Sequence, residues 1–559
     1  MVISSFKEKF VIYQVLPRLF GNTNESCIPN SSLSVNGSGK FNDIDVNTLR
    51  SLKKLGCTHI WFTGVIEHST KTDYTLYGIL KDNPSLVKGE AGSPYAVKDY
   101  FDVDPDLAVD VNNRISEFSD LINRTHKVGL KAIMDFVPNH VAREYFSDKK
   151  PSGIEDFGAK DKSDYSFHPM NNYYYILNEY FKSPVANSFN ALEYTEFPSK
   201  VTGNDCFMSH PDINDWYETV KLNYGVDYND NNRTYFNPVP DTWKKMRAIM
   251  DYWLDLGVDG FRCDMAEMVP VEFWKWAIKS VKKSNPDVLF IAEVYNPVKY
   301  SDYLNIAGFD YLYDKVGLSD TLRRILTGEV PAFHITRSWQ SLGDMQSRML
   351  NFLENHDEQR IASDYYLKDP NLAIPALTVS LMFNTTPFMI YFGQELGERG
   401  MDEEGFSGLD GRTSIFDYWS VSTIRKWRQK KEVPVLRDLY KKLLNTALSE
   451  KAIRIGQTFD LGYVNSKSGF FDPDYHFAFF RYFDKELIFI VVNFSNKDCL
   501  LMINIPKHCF DFFKISENFA DSGMDLITGE RVHELLSHTF PYTVSIMANN
   551  IRIIKFLLQ

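Results

Sequence analysis

The sequence has no excess of positive charge. Its 559 residues include 61 lysines and arginines against 73 aspartates and glutamates, a formal net charge of −12 at pH 7. Because binding to a phosphate backbone requires a basic footprint, we expect no nucleic-acid partner. No apolar run approaches the length of a membrane span, so we expect no membrane partner either.

Cysteine is scarce and scattered. The six cysteines form no CxxC pair and have no histidine at metal-ligand spacing, which favours buried free thiols over disulfides or a metal site; they lie at positions 27, 57, 206, 263, 499 and 509. The N-terminus, MVISSFKEKFVIYQVLPRLF, lacks the basic start, hydrophobic segment and small-residue cleavage site of a signal peptide. If Met1 is the native start, a cytoplasmic protein is predicted.

Aromatic residues, by contrast, are abundant. They make up 15% of the chain, and they serve either to pack the core or to stack on sugar rings, with core packing the default. The length exceeds what one compact core holds, so two or three domains are expected.

Eight apolar runs with strand-like composition recur along the first three quarters of the chain. Most are continuous rather than alternating, which is typical of parallel strands covered by helices. Helical patterns between them end at glycine, as where Leu49, Leu52 and Leu55 precede Gly56. We therefore predict an α/β fold, a (β/α)8 TIM barrel over roughly 10–430; its strands are expected within 10–17, 57–65, 130–138, 259–266, 287–295, 309–314, 348–357 and 386–395.

Two stretches depart from a plain barrel. A segment rich in Tyr, Asn, Asp and Ser follows the third strand and is too long for a simple loop, so it predicts an inserted subdomain over the cleft. The last part of the chain has alternating strands, typical of an antiparallel β-sandwich. The predicted domains are the barrel at 1–140 and 238–435, the insertion at 141–237 and the sandwich at 436–559.

Four of the apolar runs end abruptly in polar residues. They read MDFVPNH (134–140), DGFRCDMA (259–266), FIAEVYN (290–296) and FLENHD (352–357). The ends of parallel barrel strands meet at one rim, so the carboxylates of Asp264, Glu293 and Asp357 are expected to converge there. Such a set indicates acid/base and nucleophilic chemistry on an uncharged, polyhydroxylated substrate.

These segments, in this order and on these strands, resemble the α-amylase family of glycoside hydrolases (glycoside hydrolase family 13). SPYAVKDYFDVDP (93–105) is similar to the tyrosine-bearing loop of that family. The resemblance spans nearly the whole chain. It implies that Asp264 is the nucleophile, Glu293 the general acid/base and Asp357 the carboxylate that supports the transition state.

The resemblance also implies roles for six neighbouring residues. Substrate contacts are implied for five of them: Tyr95 as a stacking platform, His140 and His356 as a pair binding hydroxyls, and Arg262 and Arg360 in shaping the site. Asp135 is implied as the partner that buttresses Arg262. On the residues alone, Arg262 shares a strand face with Asp264 and would keep it ionised. The residues before Glu293 predict an apolar setting that favours its protonated form.

One expected calcium site departs from the family pattern. Asn139 matches one ligand, but VKLNY (220–224) places Lys221 where an aspartate is expected. An ammonium group satisfies the same oxygen acceptors, so we predict no calcium there and no other cofactor. A rival alignment through HPDIND (210–215) keeps Asp212 in that place and leaves the question open.

The sequence therefore predicts a retaining hydrolase of α-1,4 bonds in α-glucans or maltooligosaccharides. Glu267 and Met268 stand where many endo-acting members carry lysine and histidine, which leaves a glucanotransferase or an α-1,6 or other α-glucosidase open. A non-catalytic carbohydrate-binding or scaffold relative is a remote alternative, since such relatives lose catalytic carboxylates. The oligomeric state stays open.

Overall fold

Eight parallel strands close into a barrel in the computed structural model, which describes residues 8–185, 194–400, 409–430, 434–516 and 522–557. Each strand pairs with its sequence neighbours, and β8 pairs with β1, so the sheet has no edge. The predicted fold is confirmed; the strands are β1 (Val11–Val15), β2 (His59–Phe62), β3 (Lys131–Phe136), β4 (Gly260–Cys263), β5 (Leu289–Ala292), β6 (Tyr311–Tyr313), β7 (Met349–Phe352) and β8 (Phe388–Tyr391).

The period-two alternation of the strands explains where polar residues enter the barrel. Ile12, Ile133 and Ile291 belong to one apolar cluster inside the barrel, whereas their strand neighbours pack outward against the helices. The residues two positions after these isoleucines, on the same face, are polar. They are Gln14, Asp135 and Glu293, and all three are buried. The inner face thus changes from hydrocarbon to polar groups toward the carboxyl ends of the strands.

Amphipathic helices cover the outside of the barrel. Helix Val46–Leu55 buries Leu49, Leu52 and Leu55, begins where Asp45 accepts a hydrogen bond from the Thr48 amide, and ends at Gly56, whose φ of 117° suits glycine. The helices of seven or more residues up to residue 449 are Val46–Leu55, Arg114–Val128, Asp241–Asp255, Val271–Ser284, Asp320–Leu326, His334–Leu342, Ile374–Met382, Ser422–Arg428 and Val435–Ser449. No described helix is both long and apolar enough to cross a bilayer.

Two excursions rise above the carboxyl ends of the strands. After β2, strands Ile66–His68 and Val97–Val103 pair antiparallel although a long connection joins them; this strand pair is called the hairpin below. After β3, the predicted insertion contains three small antiparallel pairs, of which His140–Ala142 with Thr219–Lys221 is next to the barrel. Both excursions contribute residues to the cleft described below.

The C-terminal part is an antiparallel sandwich with its own apolar core. Its larger sheet has the order Gln457–Asp460, His476–Phe483, Glu486–Asn493, Asn550–Leu557, Gly523–Asp525 and Arg531–Val532, and the smaller sheet pairs Cys499–Ile503 with Tyr542–Ile546. Helix Val435–Ser449 precedes these sheets and contacts the barrel, since Asn445 donates a hydrogen bond to the Leu55 carbonyl. The predicted domain limits stay predictions. The limit predicted at 436 falls within helix Val435–Ser449, which contacts the barrel.

Candidate active site

The guanidinium of Arg262 joins two of the three predicted catalytic carboxylates. Its Nη1 donates a hydrogen bond to Asp264 Oδ1 at 2.6 Å, and its Nη2 lies 2.8 Å from Glu293 Oε2. The Asp135 carboxylate lies 3.5 Å from Nη1, and Nε donates to the Tyr313 hydroxyl at 3.2 Å. Because β4 and β5 are neighbours, one planar fork reaches both carboxylates and fixes their separation.

Two hydrogen-bond donors and the Arg262 guanidinium hold the Glu293 carboxylate. The Met265 amide donates to its Oε2 at 2.8 Å, and the Tyr295 hydroxyl donates to its Oε1 at 2.5 Å. Met265 adopts a left-handed φ of 40°, a conformation that a non-glycine residue rarely adopts, directly after the predicted nucleophile. The predicted apolar setting of Glu293 is therefore wrong: the side chain is buried, but polar groups surround the carboxylate.

Asp264 occupies the boundary between the barrel interior and the cleft. Its side chain is 8% exposed. Burial raises the pKa of the Asp264 carboxyl, Arg262 opposes that shift, and the charge of Glu293 adds to it. The net shift of the Asp264 pKa is upward, although the direct contact with Arg262 favours the ionised form. The ionised nucleophile stays a prediction.

His356 is locked in one tautomer by the barrel. The Gln14 side-chain nitrogen lies 2.8 Å from Nδ1, so Nδ1 accepts and Nε2 carries the proton. Nε2 lies 2.6 Å from the Tyr95 hydroxyl and 3.2 Å from Asp357 Oδ2. Burial, and then the charge of Arg262, lower the pKa of His356 to about 3, so the ring is neutral. Tyr95, half-buried, stacks on His356 with ring centres 5.3 Å apart.

His140 and Asn139 connect the barrel to the insertion. Burial, and then the charge of Lys221, lower the pKa of His140 to about 3. Asn139 donates to the Gly203 carbonyl at 2.7 Å, and its Oδ1 accepts from Lys221 Nζ at 3.0 Å. Lys221 lies opposite His140 in the strand pair and also contacts Asp205 Oδ1 at 2.5 Å.

A cavity of about 320 Å³ opens above these groups. Of the predicted residues it is lined by Tyr95, His140, Asp264, Glu293, His356 and Asp357. The Asp357 side chain is 43% exposed and lines the cavity, with Oδ2 in contact with His356. Sequence reasoning did not single out the other lining residues, which are Lys88, Ser93, Trp216, Glu218, Thr219, Met265, Tyr295, Ile415 and Phe416.

For two of these residues the sequence held a signal. Tyr295 follows Glu293 by two residues within a motif already noted, so the same alternation that exposes Glu293 to the rim also delivers Tyr295. Trp216 lies within the long insertion, where an aromatic residue near the cleft is a candidate stacking surface. Nothing in the sequence placed Ile415 and Phe416 at the rim, because they come from the loop after β8.

Two arginines predicted to contact substrate lie outside the cavity lining. Arg262 is 1% exposed and lies beneath the carboxylates it joins. Arg360 is fully buried; it pairs with Glu354 at 3.0 Å and lies 3.9 Å from the ring centre of Tyr391. Direct substrate contact is inconsistent with both positions, so these side chains act on the site through their neighbours.

A sequence model of the α-amylase catalytic domain matches residues 14–433. The chain belongs to the α-amylase family. It is 22% identical to neopullulanase 2 of Thermoactinomyces vulgaris over 94% of this chain and 74% of that one. It is 26% identical to α-amylase 3 of Dictyoglomus thermophilum over 65% of this chain and 68% of that one.

Solved structures agree with the fold. A maltogenic α-amylase from Thermotoga neapolitana superposes with a TM-score of 0.64 at 18% identity, covering 98% of this chain and 99% of that one. The resemblance inferred from the four strand-end motifs is therefore confirmed. The protein is an α-amylase-family glycosidase, a hydrolase of O-glycosyl bonds.

Proposed function

We propose that this glycosidase cleaves α-1,4-glucosidic bonds in α-glucans or maltooligosaccharides with retention of configuration. The observation that carries the proposal is the Arg262 fork, which holds Asp264 and Glu293 side by side at the cavity floor. Retention requires two carboxyl groups only about 5–5.5 Å apart, one as nucleophile and one as acid and then base. Carboxylates that contact neighbouring nitrogens of one guanidinium are held close together, which supports a retaining mechanism.

In the first step, a carboxylate oxygen of Asp264 attacks the anomeric carbon while Glu293 donates its proton to the departing glycosidic oxygen. The C–O bond to the leaving sugar breaks as the ester bond to Asp264 forms. Asp357, opposite the pair, is placed to accept hydrogen bonds from sugar hydroxyls that strengthen as the ring flattens.

In the second step, Glu293 removes a proton from water, and the water oxygen attacks the anomeric carbon to release Asp264. Glu293 Oε2 is occupied by the Met265 amide and by Arg262, so the mobile proton is assigned to Oε1. The Tyr295 hydroxyl faces Oε1 at 2.5 Å and turns from donor to acceptor when Glu293 is protonated.

Aromatic rings at the cavity support a sugar substrate. Tyr95, Trp216, Tyr295 and Phe416 line it, and the neutral rings of His140 and His356 offer hydrogen bonds to hydroxyl groups. An uncharged polyol needs such flat apolar faces and neutral polar groups.

We further propose that Lys221 takes the place of calcium beside Asn139. The buried ammonium already contacts Asn139 Oδ1 and Asp205 Oδ1, and a divalent ion next to it would be repelled. The rival alignment is less well supported, since Asp212 is solvent-exposed and its Oδ1 accepts hydrogen bonds from Asn214. The residues at this position do not fit a calcium ion.

The test is a time course on maltoheptaose with products resolved by length. Only shorter products are expected, and their early distribution separates endo from exo attack. Products longer than seven units would show a glucanotransferase, and no reaction on maltoheptaose but cleavage of panose would show a different linkage. A Glu293→Gln variant should lose at least about 10³-fold in kcat while keeping its circular dichroism spectrum. Unchanged turnover in that variant would overturn the assignment.

A further inference from the structure

Four carboxylates meet away from the catalytic pair, behind the hairpin that follows β2. One oxygen from each of Glu67, Asp99, Asp102 and Asp148 lies within 4.8 Å of the others. Glu67 and Asp99 are directly opposite in the hairpin, where like charges destabilise strand pairing. The first three are 1% exposed or less, and the Asp148 side chain is 20% exposed.

Glu67 has no hydrogen-bond partner within the described chain. Both of its carboxylate oxygens are buried and unpaired, although one of them is directed into the cluster. A buried carboxylate with neither a donor nor a counter-ion is costly, and native proteins rarely keep one. This side chain therefore indicates a missing partner, and hydrogen bonding inside the cluster does not supply one.

The other members are oriented by donors on their outer sides. Asp99 accepts from the Ser147 hydroxyl at 2.6 Å and from the Phe101 amide at 2.8 Å. Arg114 forms an ion pair with Asp102, and its Nε donates a hydrogen bond to Asp102 Oδ2 at 2.8 Å. Arg114 contacts Asp102 and Asp148, Lys149 lies 3.5 Å from Asp148, and the charge of Lys98 reaches Glu67. Three cations face four acidic groups, so the cluster retains a negative excess.

We propose that Glu67, Asp99, Asp102 and Asp148 bind a calcium ion. Oxygen ligands on opposite sides of calcium lie about 4.6–5.2 Å apart, twice its ligand distance, and magnesium would draw them to about 4.0–4.2 Å. The four oxygens lie within 4.8 Å of one another, which leaves room for an ion of this size. Four carboxylates suit calcium, because magnesium keeps several waters and is bound through one or two carboxylates. Because the Asp148 side chain is partly exposed, the ion has a path into the site and room for water ligands.

This ion would join two excursions that build the cleft. Glu67, Asp99 and Asp102 belong to the hairpin, and Asp99 lies four residues after the platform Tyr95. Asp148 lies in the segment that begins the insertion, where the Phe146 amide already donates to the Lys98 carbonyl at 3.1 Å. Calcium here would brace the Tyr95 platform, at a place distinct from Asn139 and Lys221.

The test uses the full chain stripped of metal with a chelator and then titrated with calcium chloride. We expect one calcium per chain by calorimetry, a rise in Tm on binding, and weaker binding of magnesium. Asp148→Asn, a change at a partly exposed ligand, should weaken calcium binding at least about tenfold, and Glu67→Gln should weaken it further. Glu155→Gln, a surface change of the same charge on the same segment, serves as the control.

The Tm of Glu67→Gln gives an independent readout. Without calcium this variant should be more stable than the wild type, because it removes a buried like charge; with calcium it should be less stable. An increase of equal size in both conditions would show that calcium does not neutralise the Glu67 charge, and no change in either would show that Glu67 is protonated; both results would overturn the proposal. No binding up to about 10 mM calcium, or unaltered binding in both variants, would also overturn it.

Discussion

The ammonium of Lys221 lies 3.0 Å from Asn139 Oδ1, within a strand pair that anchors the insertion to β3. Lys221 is 2% exposed and contacts Asp205 as well. The same amide of Asn139 donates to the Gly203 carbonyl. A single buried cation thus ties two parts of the insertion, strand Thr219–Lys221 and the segment around Asp205, to Asn139, which follows β3 and precedes His140.

Replacing this ammonium should destabilise the insertion. Lys221→Met keeps the length of the side chain but leaves Asn139 Oδ1 without its donor, and we expect a loss of about 2–3 kcal/mol in the free energy of unfolding. Urea denaturation measures it. Lys160→Met, at a lysine of the insertion that is 78% exposed, should leave stability nearly unchanged. Equal effects of the two changes would contradict the bridging role.

The effect of a chelator on Tm distinguishes a calcium site behind the hairpin from one beside Asn139. If calcium binds only behind the hairpin, Asp148→Asn removes the effect of a chelator on Tm, whereas Asp205→Asn leaves it intact. The reverse pattern would place the ion beside Asn139.

The barrel and its catalytic carboxylates were predictable because they follow from local rules. Continuous apolar runs ending in Asp264 and Glu293 determine both a buried parallel strand and its polar rim. The partners of His356 and Arg262 were not predictable in the same way, since Gln14 and Tyr313 come from distant strands. The setting of Glu293 was mispredicted because its polar partners Met265 and Tyr295 lie outside the apolar run that precedes it. Arg360 was misplaced because a motif position does not reveal burial.

Arg262 should be sensitive even to a change that keeps its charge. Lys at this position offers one point charge in place of a fork, so it cannot hold Asp264 and Glu293 together. We expect Arg262→Lys to lower kcat by about 10²–10³-fold, or about 3–4 kcal/mol, with a smaller change in KM. Arg247→Lys, in helix Asp241–Asp255 on the outside of the barrel, is the control. A kcat within about fivefold of the wild type would refute the bridging role.

Acid should destabilise the fold through His356. Its folded pKa of about 3 lies below the unfolded value of about 6.5, so only the unfolded chain gains a proton as the pH falls from 6.5 toward 3. This group therefore stabilises the fold above pH 6.5 and loses that contribution on acidification, by about 2 kcal/mol between pH 7 and pH 5. Urea denaturation at both values should show a smaller loss in His356→Gln. The exposed control, His533→Gln, should keep the wild-type dependence.

Tyr295 should prove to be part of the proton-transfer machinery. Its hydroxyl faces Glu293 Oε1, the oxygen assigned to carry the mobile proton, and the same ring lines the cavity. Tyr295→Phe keeps the stacking surface and removes only the hydroxyl. We therefore expect kcat on maltoheptaose to fall about tenfold, roughly 1.4 kcal/mol, with KM nearly unchanged.

A matched variant separates this effect from the general loss of a buried hydrogen bond. The Tyr303 hydroxyl donates to the Val269 carbonyl at 2.8 Å, away from the cavity, so Tyr303→Phe should lower Tm without changing kcat. A change in KM alone for Tyr295→Phe would mean that its hydroxyl binds substrate, because uniform binding affects KM and spares kcat. A lower kcat with an altered pH–rate profile, together with an unaffected Tyr303→Phe, would place the hydroxyl on the path of the proton.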